Sequence, residues 1–130
     1  MPDGFKNSHF SWNELMTNDI EKAKIFYGEL FAWTMVDMPM EGGQYTMAQK
    51  GDERAAGMMA MPKEAEGAPP HWGSYVTVED VDASAKKAEG LGATIIVPPT
   101  DIPGVGRFCL FQDPQGATLS MITYTMSCED

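Results

Sequence analysis

Thr17-Asn-Asp-Ile-Glu-Lys-Ala-Lys-Ile-Phe-Tyr27 is the stretch on which the fold turns, because a shorter echo of it, Val78-Glu-Asp-Val-Asp82, stands 61 residues further on. In the first copy Asn18 offers a helix cap with Glu21 in capping-box spacing. Ile20, Ala23, Phe26, Tyr27 and Leu30 then form an apolar stripe at helical spacing, with Glu21, Lys22, Lys24 and Glu29 mostly opposite. The same offset carries Asp19 to Asp80, Ile20 to Val81, Leu30 to Leu91 and Trp33 to Thr94. The second helix is expected over Asp80 to Leu91, striped by Val81, Ala85, Ala88 and Leu91.

Outward from the first helix, Phe10 to Thr17 alternates as a strand does. Trp33 to Met38, Gln44 to Gln49 and Arg54 to Met61 follow as three short strands, parted by Glu41-Gly42-Gly43 and Lys50-Gly51-Asp52. Around the second helix the strands are Gly73 to Val78, Ala93 to Val97, Arg107 to Gln112 and Ala117 to Tyr124, with Pro98 to Gly106 and Asp113 to Gly116 as turns. Strand, helix and three strands therefore occur twice, the mark of an internal duplication. The expected class is α+β: one domain over 1–130, with a first βαβββ module at about 8–61, a proline-rich linker at 62–70 and a second module at about 71–126. Each unit alone exposes an apolar face, so the two are expected to pair as curved sheets around a cleft.

Composition bounds the function. In 130 residues, 19 Asp and Glu against 9 Lys and Arg give a formal charge of -10. A basic stripe for phosphates is missing, which argues against nucleic acid and against an anionic membrane surface. The first ten residues lack a signal-peptide pattern and no apolar run suffices to span a bilayer, so a cytoplasmic protein is expected. Cys109 and Cys128 are read as two free thiols.

Thr17 to Tyr27 with Leu30-Phe-Ala-Trp33, Val78 to Asp82, and Gln112-Asp-Pro-Gln-Gly116 together resemble the vicinal oxygen chelate superfamily of glyoxalases, bleomycin-resistance proteins and extradiol dioxygenases. Pro98 to Arg107 is similar to a glyoxalase-like subgroup that includes two-domain mycobacterial antigens. The resemblance implies paired βαβββ modules, a homodimer, and a divalent metal held by His, Gln or Glu. Carried onto this sequence, the ligand positions fall at Trp12 and Gly73 on the first strands and at Ser120 and Met59 on the last. Indole and glycine cannot coordinate, a thioether is too soft and a neutral hydroxyl is a poor ligand. No metal and no other cofactor is therefore expected. His71, in strand parity with Gly73, and His9 are the nearest imidazoles.

Strand alternation places Trp12, Glu14 and Met16 toward the expected cleft, with Gly73, Tyr75 and Thr77 from the second module. Thr118, Ser120 and Ile122 join from the last strand, and Gly57, Met59 and Met61 from its counterpart. Trp12 offers a stacking plane, the Met thioethers adapt their shape, and Gly57 and Gly73 leave room, which suits an apolar or aromatic small molecule. Glu14 is read first as paired with Arg107, whose guanidinium would keep it ionised; the other reading makes it the candidate catalytic acid or base, since apolar surroundings disfavour a charged carboxylate. The expected ligand set is Trp12, Glu14, Met16, Met59, Tyr75, Thr77, Arg107 and Ser120. The function these residues favour is metal-free binding of a small metabolite. A metal-dependent glyoxalase-like lyase or dioxygenase is the alternative, and an assembly or regulatory subunit the third.

Overall fold

A computed structural model of the chain describes residues 7–40, 43–61, 67–102 and 105–125, with the backbone alone at Met40 and Gly43. The elements in chain order are β1 Phe10–Thr17, α1 Ile20–Phe31, β2 Thr34–Met40, β3 Gly43–Lys50 and β4 Glu53–Ala60. They continue with β5 His71–Thr77, α2 Val81–Gly90, β6 Thr94–Ile102, β7 Gly106–Gln112 and β8 Thr118–Tyr124. The βαβββ order occurs twice and the protein is α+β. Both helices start at an aspartate: the Asp19 carboxylate accepts from the Lys22 amide at 3.1 Å and that of Asp80 from the Ala83 amide at 3.2 Å. The first cap is thus Asp19, not Asn18. A carboxylate at a helix N-terminus satisfies a free amide and opposes the positive end of the dipole.

Compactness divides the chain inside β1 and after Trp72. One unit, Asn13–Trp72, holds α1 and strands in the order β2-β3-β4-β1. β2, β3 and β4 are antiparallel neighbours, and β1 lies parallel to β4. Strand parity separates its side chains into two sets. Leu15, Ala48, Ala56 and Met58 form a core with Ala23 and Tyr27 of α1 and with Trp33 and Met35. Glu14, Met16, Tyr45, Met47, Gly57 and Met59 share the opposite face, and all are buried. Lys24 of α1 reaches Asp37 on β2 at 3.0 Å, and the Thr46 hydroxyl donates to the same carboxylate at 2.8 Å.

The other unit takes Gly73 onward together with the chain up to Trp12, with strands ordered β5-β8-β7-β6. β5 and β8 are parallel, and the other neighbours antiparallel. Val81 and Ala85 of α2 pack on Cys109 and Met121. On the opposite face Tyr75, Val97, Ile102, Phe108, Leu110 and Ile122 form a second cluster, joined by Trp12, Ile96, Val105 and Tyr124. Pro98 and Pro99, expected in a turn, lie within β6, which runs on to Ile102. The ladder to β7 slips between Ile95 and Val97 and again between Val97 and Thr100, so the irregular edge strand absorbs two residues that cannot donate. The expected linker falls largely outside the described residues, as do Glu41, Gly42 and Cys128.

Candidate functional site

The expected site residues fall into two groups, one on each helix-free face. In the Asn13–Trp72 unit two cross-strand rows stand side by side: Met47, Gly57 and Glu14 in one, Tyr45, Met59 and Met16 in the next. Glu14 is 1% exposed, an acid among three thioethers and a tyrosine. Gly57 leaves no open space, because a Cβ there would overlap the Tyr45 hydroxyl and ring. The room expected at this glycine is filled from β3. Tyr45 and Met47 belong to this face through antiparallel pairing of β3 with β4; the alternation of Gln44 to Gln49 held the signal, but not which parity faces inward.

In the second unit the rows are Val97, Leu110, Ser120, Tyr75 and then Thr100, Phe108, Ile122, Thr77. Tyr75 and Phe108 stand with ring centroids 6.1 Å apart. Trp12, half-buried, packs on this cluster. Thr77 is 2% exposed, and its Oγ1 is buried without a hydrogen-bond partner among the described residues. The Thr77 backbone, by contrast, is satisfied on both sides: its amide donates to the His9 carbonyl at 2.9 Å and its carbonyl accepts from the Ser8 amide. The hydroxyl is thus a polar point in an apolar wall, and such a group costs ~1–3 kcal/mol until something bonds it.

Register corrects one equivalence. Glu14 pairs with Gly57 and Tyr75 with Ser120, so the counterpart of Ser120 is Gly57, while Met59 corresponds to Ile122. The connection between the helix and the last strand is two residues longer in the second module, and a constant offset of 61 cannot hold beyond it. The correction leaves the chemistry of the donor set unchanged: Trp12, Gly73, Ser120 and either Gly57 or Met59 do not fit a divalent ion. Among the described residues no group of three or more His, Cys, Asp and Glu is placed to hold one. The imidazoles are engaged locally, His9 Nδ1 lying 2.9 Å from the Asn7 carbonyl and His71 Nδ1 2.8 Å from that of Pro69.

Arg107 does not join either group. On β7 it has the parity of Cys109 and therefore faces α2, where Nε and Nη2 grip Asp82 at 2.9 and 3.1 Å and Nη1 meets Asp101 at 3.0 Å. The expected pairing with Glu14 is replaced by this bidentate clamp, because Asp82 lies in the first turn of α2 directly over the strand. The guanidinium holds the Asp82 carboxyl below the usual carboxylate range, chiefly through these hydrogen bonds, and its own proton is held more tightly in return. Burial pushes the Cys109 thiol up to about 11, so at neutral pH it is protonated and a poor nucleophile. Asp113 closes the turn before β8, its carboxylate accepting from the Gln115 and Ala117 amides at 2.8 and 3.0 Å.

Two βαβββ repeats, each with a helix on one face of its strands and a buried, largely apolar opposite face, define a class of paired-module proteins. The chain belongs to the Glyoxalase/Bleomycin resistance protein/Dioxygenase superfamily, whose family model matches residues 8–121. It is 41% identical over 112 residues to "Putative glyoxylase CFP32" of Mycobacterium tuberculosis, a match over 85% of this chain and 42% of that protein. Over 124 residues it is 32% identical to "Anthracycline biosynthesis protein DnrV" of Streptomyces peucetius, covering 85% of this chain and 45% of the relative. The chain thus spans less than half the length of these relatives. Methylmalonyl-CoA epimerase from Mycobacterium tuberculosis shares the fold, with a TM-score of 0.62 at 13% identity over 96% of this chain and 93% of the epimerase.

Proposed function

We propose that this chain is a metal-free small-molecule-binding protein of the glyoxalase and bleomycin-resistance type, which sequesters or acts on an apolar or aromatic metabolite. In this reading it is cytoplasmic and works as a homodimer. The observation that carries it is the Thr77 hydroxyl, buried and without a partner among the described residues, on the face that Trp12, Tyr75, Phe108 and Ile122 line. A few polar points in an apolar wall are how a site orients a planar ligand while burial supplies the affinity. Trp12 gives a flat surface where relatives with metal chemistry need a donor, and it lies on the same apolar face as the Thr77 hydroxyl. The relative named for anthracycline biosynthesis supports an aromatic ligand, since anthracyclines are fused planar rings.

The relative named as a glyoxylase supports the metal-dependent alternative, in which a dicarbonyl is the substrate. A thermal-shift and equilibrium-binding panel of an anthracycline, other planar aromatics, a methylglyoxal adduct and an acyl-CoA, each with and without chelator, separates the readings. The expected result is a chelator-insensitive rise in melting temperature with an aromatic compound. A response that needs added divalent metal would establish the alternative. No response from the whole panel would overturn small-molecule binding and leave the assembly-subunit reading.

A further inference from the structure

Helix α1 exposes apolar side chains that the fold does not require. Ile25 is 67% exposed and Phe26 and Leu30 58% each, with Phe31 and Trp72 also open. The internal duplication supplies the comparison. At the offset of 61, Ile25 corresponds to Lys86, Phe26 to Lys87 and Tyr27 to Ala88, so at these three places the second helix carries charged or small residues, while Leu30 keeps an exposed apolar counterpart in Leu91. The aromatic side chains of the first helix are also held in place. Tyr27 stands edge-on to Phe26 at 4.9 Å and to Trp72 at 5.3 Å, and its hydroxyl accepts from Trp72 Nε1 at 3.1 Å. Phe31 and Trp33 extend the cluster with centroids 4.9 Å apart. A contiguous apolar patch of this kind on a soluble surface marks an interface.

We propose that this face of α1 is a self-association surface, occupied by α1 of a second copy lying antiparallel across a two-fold axis. The inference rests on the homodimer reading above and assigns it a face. Charge complementarity selects a second copy as the occupant. Lys22, Ile25, Phe26, Glu29 and Leu30 share one helical face, and Lys22 and Glu29 stand equally far from the midpoint between Ile25 and Phe26. An antiparallel pairing about that midpoint sets the two phenylalanines and isoleucines against one another at the centre. It also brings each Lys22 to the partner copy's Glu29 at both ends. A two-fold contact of this kind is self-complementary by symmetry.

Sedimentation equilibrium of the whole chain across the micromolar range tests it, with circular dichroism as the check on folding. The wild type is expected to be a dimer. Lys22→Glu places four acids around the contact and is expected to weaken dimerisation by roughly tenfold or more, and the double variant Lys22→Glu with Glu29→Lys to restore it. Both positions are exposed, so the variants leave the core untouched. A dimer indifferent to Lys22→Glu and to Phe26→Glu would overturn this face while keeping the homodimer. A wild type that is monomeric throughout would overturn both.

Discussion

At the scale of single residues the most informative atom is Thr77 Oγ1. A side chain that keeps its shape but loses the hydroxyl removes a buried unsatisfied group, so Thr77→Val is expected to raise unfolding free energy by ~1 kcal/mol. The same variant is expected to lose about tenfold in affinity for whichever panel ligand binds, the scale of one hydrogen bond in a dry site. Denaturant titration and equilibrium binding on one preparation check both signs. A fall in stability would mean that the hydroxyl has a structural partner and that the binding site lies elsewhere. Thr77 was legible in the sequence because strand parity alone brought it beside Tyr75. Arg107 was not: its strand's orientation follows from where β6 ends, and two prolines hid that end inside an apparent turn.

Elements are held to one another by exposed ion pairs whose response to pH has a definite sign. Asp82 on α2 and Asp37 beside α1 both have folded-state pKa values lowered, the first by Arg107 and the second by Lys24 and Thr46. A lowered carboxylate favours the folded state above its unfolded pKa of ~3.9 and loses that advantage as pH falls through the lower folded value. Stability is therefore expected to drop on acidification below about pH 4. Asp82→Asn should be less stable than wild type at neutral pH and should converge on it in acid, as melting temperatures across pH will show; parallel curves would mean that the clamp contributes nothing. At this scale the sequence spoke clearly about order and poorly about burial. Every strand and helix was foreshadowed by periodicity and punctuation, but the α1 stripe is only half covered. Ala23 and Tyr27 pack inward, while Phe26 and Leu30 are each 58% exposed.

For the whole molecule the question is what a duplicated frame does once its donor positions hold no donors. Gly57 and Ser120 hold equivalent register positions, opposite Glu14 and Tyr75, and Trp12 and Gly73 each stand two residues before those, so in the metal-free reading proposed above neither module supplies a donor there. In that reading a frame of this kind works with what burial gives, two largely apolar faces with Glu14 on one and Thr77 on the other, and without Lewis-acid chemistry. Ligand linkage makes this measurable. A metal bound only by the native state and present at a hundred times its Kd would stabilise by ~2.7 kcal/mol, which for a chain of this size raises the melting temperature by roughly 10 °C. Dialysis against chelator followed by return of zinc, nickel, manganese or iron(II) is expected to move the midpoint by less than about 1 °C, well under that linkage value. Ligand affinity is expected to stay constant through the cycle. Binding of one of these ions in a 1:1 ratio, with a midpoint that falls on chelation and returns on repletion, would show that side chains outside the duplicated positions build a metal centre and would overturn the metal-free reading in favour of the metal-dependent one.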